Sequence, residues 1–225
     1  MKSGTSVAVI ILAIVASLAV GTFAGYAIKG MGSDMTTTTN ETMEQSTKVA
    51  DLRVGLNNLL REHVTTNLTV TRDIVDGASQ AKIDGAKAAQ TANAVAIAQT
   101  VGSVYGEDAQ AAITTPFVEH LVQSNNYAQA VKDGNESMKE SSLAALRVEL
   151  RKVADVFHSV IPSVPSDALY DALSAHEDLI NQAAVEYNVG NFEKAYALEN
   201  EALVQISGGA EVLATGIVAS KPDMF

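Results

Sequence analysis

Residues 56–77 read LNNLLREHVTTNLTVTRDIVDG, and a matching window returns twice. It recurs at 113–134 as ITTPFVEHLVQSNNYAQAVKDG and at 169–190 as LYDALSAHEDLINQAAVEYNVG. Each window holds one histidine and closes on a glycine. His63, His120 and His176 are separated by 57 and 56 residues, and Gly77, Gly134 and Gly190 by the same steps. A polar series, Asn93, Glu149 and Gln205, follows with steps of 56. Recurrence at a fixed period marks one supersecondary unit copied along a chain.

Within each window the stripe residues fall at spacings of 4, 3, 4, 3 and 4. They are Leu56, Leu60, His63, Asn67, Val70 and Ile74, then Ile113, Phe117, His120, Ser124, Tyr127 and Val131, then Leu169, Leu173, His176, Ile180, Ala183 and Tyr187. That period belongs to one face of a helix packed in a bundle, so each histidine is expected on the buried stripe. The closing glycines read as helix stops, since glycine takes positive φ at little cost. A second helix is expected after each turn, along Ala86, Asn93, Ile97, Val101 and Val104, then Leu143 to Val160, then Ala195 to Gly216. Pro116 is expected to kink or delay its helix, and Ser166 to cap the helix that carries His176, with Asp167 in its first turn.

Counting residues from the turns at ~1.5 Å each places His63 level with Asn93, His120 with Glu149, and His176 with Gln205. If the three first helices run parallel, all six groups share one layer. The plain expectation for such a layer is a set of core histidines, each bonded to the amide or carboxylate opposite. The second is a metal site of His63, His120, His176 and Glu149, whose donors suit zinc, copper or iron. Asn93 and Gln205 then complete the buried polar layer. No His-x-x-x-His or Glu-x-x-His pair marks a metal site within one helix. His158 has no counterpart in the other windows and is expected near the surface. Glu62 and Glu119 flank the stripe and are expected in solvated or interhelical polar contacts.

The chain has 225 residues, 47% of them hydrophobic and 5% aromatic, with no cysteine and a formal charge of −11. Without cysteine there is no disulfide, no thiolate metal site and no catalytic thiol. Every acidic residue follows position 33, and 13 of the 15 Lys and Arg do, so that part carries −13. Such a balance argues against nucleic acid and against docking on anionic lipid.

Val7 to Ile28 is 22 residues without a charge, long enough to span ~30 Å of hydrocarbon. Lys2 ahead of it favours an inside N-terminus. The reading is a cytoplasmic tail at 1–6, a transmembrane signal anchor at 7–28, a flexible Thr-rich stalk at 29–47 and an extracytoplasmic bundle at 48–225. The repeats run over about 49–106, 107–162 and 163–220. A secreted form after signal cleavage is the alternative. Ala13, Ser17, Gly21 and Gly25 form a small-residue ridge along which two such spans could pair. Asn-x-Ser/Thr sequons fall at Asn40, Asn67 and Asn135.

No P-loop, dinucleotide glycine motif, Gly-x-Ser-x-Gly or His-Glu-x-x-His occurs, and no segment carries a strand period. Several stretches resemble one family of prokaryotic helical proteins: Leu59-Leu60-Arg61-Glu62-His63, Val104-Tyr105-Gly106-Glu107-Asp108-Ala109, Val118-Glu119-His120-Leu121, and Gly216-Ile217-Val218 ahead of Pro222-Asp223-Met224-Phe225. Proteins of that family carry Leu-x-x-Glu-His hairpins, a Tyr-Gly-Glu-x-Ala turn and a Gly-Ile-Val tail. The resemblance covers about residues 50–225 and implies the helical fold, with no activity attached.

The sequence is therefore expected to form an all-α protein, one membrane helix plus a six-helix up-down bundle of three hairpins. Its expected role is non-enzymatic: interaction, sensing or structural support outside the membrane, with a metal-binding domain as the alternative. An enzyme working through Glu149 and His120 is the weakest reading, and it needs an open cleft to the layer.

Overall fold

The computed structural model describes residues 35–225, with side chains from residue 44 onward. The expected tail, membrane span and small-residue ridge lie outside the described residues. Asn40–Phe225 forms one compact unit; of the residues before Asn40, only the opening of helix α1 is described. The described residues are all-helical: α1 Met35–Val75, α2 Gln80–Tyr105, α3 Glu107–Asp133, α4 Glu136–Val160, α5 Ser166–Asn188 and α6 Phe192–Ser220, with a short 3-10 turn Pro222–Met224. They pack as a helical bundle.

Three of the turns share one hydrogen-bond pattern. After α1 the Gly77 N–H donates to the Ile74 carbonyl (3.0 Å) and the Ala78 N–H to the Asp73 carbonyl (2.9 Å). The same pair of bonds recurs at Gly134 and Asn135 and at Gly190 and Asn191. This is the Schellman closure, which ties up the last carbonyls of a helix and requires a left-handed residue. Gly77, at φ +68°, supplies it. Asn135 then starts α4, its side chain accepting from the Met138 N–H at 3.0 Å.

Three local expectations are corrected. The Thr-rich stretch expected to be a flexible stalk is helical from Met35. No proline or glycine lies between Asp34 and Val54, and extending a helix that is already nucleated costs far less than starting one. Helix α3 begins at Glu107 and runs through Pro116, so the proline does not delay its start. Ser166 is the first residue of α5, with Pro165 at the cap position and no side-chain cap. The Ser166 hydroxyl instead donates to Asp155 of α4.

Of the eighteen stripe residues on α1, α3 and α5, all but Leu173 and Tyr187 are buried. The large apolar cluster takes in Leu56, Leu60, Phe117, Leu121, Ile180 and Leu213, and a small one joins Val70, Ile74, Ile83 and Ala128. Each fully buried Leu or Ile contributes roughly 1.5–3 kcal/mol. Helices α1, α3 and α5 meet through buried polar side chains: Asn67 of α1 and Ser124 of α3 both bond Glu177 of α5. Helix α2 bonds α1 through Asn93 and the Leu59 carbonyl (3.0 Å). Helix α6 is tied to α1 by Arg61, which donates to the Leu203 carbonyl at 3.0 Å.

Helix α6 is the one described helix long and apolar enough to cross a membrane, with a mean hydropathy of 1.5. Ala202, Ile206, Ala210, Leu213 and Ile217 are buried within the bundle, and α6 also carries Glu193, Lys194, Glu199 and Glu201. A core helix passes the same test of length and composition.

Candidate metal centre

The three histidines converge. His63 comes from α1, His120 from α3 and His176 from α5, and each is at most 3% exposed. The Nε2 atoms of His63 and His120 lie 3.3 Å apart. Glu177, 1% exposed, adds a carboxylate whose Oε1 is 3.9 Å from His120 Nε2 and 3.7 Å from His176 Nε2. Ligand atoms of His63, His120 and Glu177 all lie within 4.8 Å of one another. His176 stands beside this trio, its ring centroid 6.0 Å from that of His63.

Around the carboxylate runs a chain of buried amides and a hydroxyl. Ser124 Oγ donates to Glu177 Oε2 (3.2 Å) and lies 3.2 Å from Asn67 Oδ1. Asn67 Nδ2 is 3.5 Å from Glu177 Oε1. Gln90 Nε2 donates to Asn67 Oδ1 (3.2 Å), and Asn125 Nδ2 donates to Gln90 Oε1 (3.0 Å). Helices α1, α2, α3 and α5 thus fix the position of one carboxylate. Asn67 is fully buried in this chain, so its sequon is closed to glycosylation in the folded bundle.

The imidazole nitrogens are less well served. His63 Nδ1, His120 Nδ1 and both nitrogens of His176 are buried without a hydrogen-bond partner. Asn93 lies within reach of His63, and the Phe117 and Pro116 backbone within reach of His120, so the unserved imidazole is that of His176. Buried polar atoms in native proteins are nearly always paired, and its two nitrogens call for a partner such as an ion or a water. Burial lowers His63 to about 4, with Asn93 acting in the opposite direction. Burial and then His63 lower His176 to about 3. His120 is pushed well down by burial, then by His63 and His176. All three are therefore neutral near pH 7, the form that ligates metal. Burial raises Glu177 to about 8, with Ser124 opposing and Asp178 adding to the rise.

The other expected residues take different places. Glu149 is outside the group: its Oε1 pairs with Lys152 at 2.8 Å, and its Oε2 is buried without a partner. Asn93 donates to the Leu59 carbonyl and to Glu62 Oε2 (3.1 Å). Gln205 donates to the Ala172 carbonyl at 2.9 Å. The Nδ2 of Asn93 and the Nε2 of Gln205 thus go to carbonyls one turn before a histidine, while the Asn93 side chain is also within hydrogen-bonding reach of His63, as expected for that pair. His158 is exposed, its Nδ1 2.7 Å from the Val164 carbonyl.

Glu177 is the residue that reading the stripe alone passes over. It lies one position beyond the stripe, where the other windows place Val64 and Leu121. A carboxylate at a position otherwise filled by core aliphatics was the available signal. Gln90 shows the same break, since steps of 56 lead from it to Leu146 and Ala202.

Two surface clefts are described, and neither is lined by His63, His120, His176 or Glu177. Comparison with protein-family models, curated proteins and solved structures finds no match to this chain.

Proposed function

We propose that this protein is a non-enzymatic helical domain that holds one transition-metal ion in its core, with zinc the best-suited metal. The observation that carries the reading is the convergence of His63, His120 and Glu177 from three helices, with ligand atoms within 4.8 Å of one another. Two nitrogens each about 2.0–2.1 Å from a tetrahedral zinc lie about 3.3 Å apart. The His63–His120 Nε2 separation is 3.3 Å. His176, with both ring nitrogens unpartnered, is the natural fourth ligand. Three imidazoles and one carboxylate, all buried and none lining either described cleft, suit a closed, four-coordinate site. Glu177 would bind as the anion, giving up the proton that burial favours, because the ion supplies the missing counter-charge.

The competing account is a dry polar core, in which one neutral histidine donates Nε2–H to the other and Glu177 stays protonated. Zinc calorimetry on the full chain in mild detergent separates the two. The proposal expects one zinc per chain, loss of binding in His120→Ala, and loss or severe weakening in Glu177→Gln. Failure of the wild-type chain to bind zinc, copper(II) or iron(II) would refute it.

The wider setting belongs to the same proposal. Three hairpins, α1–α2, α3–α4 and α5–α6, are the copied unit, which the 57- and 56-residue steps and the recurring Schellman turns support. An uncleaved anchor at 7–28 holds the bundle outside the membrane, a reading supported by the 22 uncharged residues there. Protease protection of the bundle in sealed inside-out vesicles tests that orientation, and digestion of the bundle there would reverse it.

A further inference from the structure

We propose that metal reaches the buried centre through the cleft between α3, α4 and α5, and that the Arg147–Asp178 ion pair, which holds a lining residue of the cleft to α4, is its latch. The inference rests on the metal-binding reading above. A cleft of about 260 Å³ opens on this face, lined by Tyr127 of α3, Leu143 of α4, and Asp178, Asn181 and Glu186 among the residues of α5. Two of its walls belong to the helices that carry the site. Tyr127 lies three residues after Ser124, which bonds the Glu177 carboxylate. Asn181 lies four residues after Glu177 itself. About one helical turn, ~5 Å along the axis, therefore separates Asn181 from Glu177 on α5 and Tyr127 from Ser124 on α3.

Asn181 is the second observation. It is 5% exposed, yet its Nδ2 is buried without a partner. A side-chain nitrogen held by no bond leaves the amide free to turn its oxygen toward a cation passing inward. Asp178 and Glu186 stand at the cleft, paired with Arg147 and Lys194, and the net charge of −11 of the whole chain favours the approach of cations. The other side of the centre is closed by packing: His63 lies against Phe117 with ring centroids 5.0 Å apart, and the large apolar cluster continues around it.

The latch is the contact between α4 and α5. Arg147 Nη2 donates to both oxygens of Asp178, at 2.8 and 3.1 Å. Both side chains are about two-fifths exposed, so water can replace the pair and open it. When it opens, the Asp178 carboxylate is free to take a hydrated ion one residue away from Glu177.

Stopped-flow zinc uptake by the full chain, read by a competing fluorescent chelator, tests the path. Arg147→Ala should speed loading several-fold with the equilibrium affinity unchanged. Leu143→Trp, which fills the cleft, should slow it by about tenfold, again without changing affinity. The two variants move the rate in opposite directions, so misfolding of one cannot imitate the result. A wild-type chain that takes up zinc while both variants load at its rate overturns the path and leaves the site standing. A wild-type chain that takes up no zinc overturns both.

Discussion

Two parts of the core are equally buried and opposite in chemistry. In one, Ile161, Val164 and Ile217 close against Gly216 of α6. A methyl added at Gly216 would overlap Val164 and come within 3.3 Å of Ile161, and the Gly216 carbonyl accepts from Ser163 Oγ at 2.9 Å. In the other, three imidazoles and a carboxylate are buried to the same degree, with both ring nitrogens of His176 lacking partners. The first region is filled by dispersion and hydrophobic contact and pulls the bundle together. The second takes polar groups out of water without fully repaying their solvation. Single unpartnered atoms occur elsewhere, at Tyr105, Glu149 and Ser174 among others, but only at the histidines do several ligating groups converge, and this is the physical case for a ligand there.

The contrast can be broken from either side. The largest effect is expected at the packed end. Ile217→Ala should destabilise the full chain by about 2–5 kcal/mol in denaturant melts, because it leaves a cavity in close-packed surroundings. Gly216→Ala should cost about 1–3 kcal/mol by overpacking. At the polar centre the sign reverses. Glu177→Leu installs the aliphatic side chain that Leu121 supplies in the second window. It should stabilise the metal-free protein by about 1–3 kcal/mol while abolishing zinc binding; a destabilised metal-free variant would show that the carboxylate serves the fold.

Acidification sharpens the same comparison. The histidines have folded pKa values below the ordinary 6.5, at about 4 for His63 and about 3 for His176. The stability they carry is full above pH 6.5 and is lost as pH falls toward those values, since the unfolded chain takes up the protons first. Glu177, raised from 4.5 to about 8, works the other way: its contribution is full below 4.5 and lost as pH rises through about 8. Between pH 6.5 and 4.5 three groups oppose one, so the metal-free protein should weaken on acidification. Denaturant midpoints at pH 7 and pH 5 check this, and Glu177→Leu should steepen the loss. The smallest effect is expected at the surface: Arg53→Ala removes an exposed 3.0 Å pair with Glu211 and should cost less than about 1 kcal/mol.

The sequence disclosed this architecture unevenly, and the reasons are local. Helical period is a strong signal where apolar residues set it, so the stripes from Leu56 to Ile74 and from Ile113 to Val131 could be read directly and are buried. The glycine stops were legible because only a left-handed residue completes that turn. Glu149 and Glu177 were not separable by type or by helix count: Glu149 lies within reach of Lys152 and pairs there, whereas Glu177 occupies an aliphatic position facing α1 and α3. Gln90 and Asn125 were passed over because a buried amide has no period of its own, only neighbours. The Thr-rich stretch misled because threonine is a weak helix former in isolation, while here it precedes a helix nucleated further on.

The most direct test of the central claim is zinc K-edge X-ray absorption on the metal-loaded full chain. The account predicts a single zinc with four light-atom ligands at about 2.0–2.1 Å, multiple scattering from three imidazoles, and loss of the bound metal in His120→Ala. A shell of six oxygens, or a spectrum that His120→Ala leaves unchanged, would place any bound zinc on the acidic surface and contradict it.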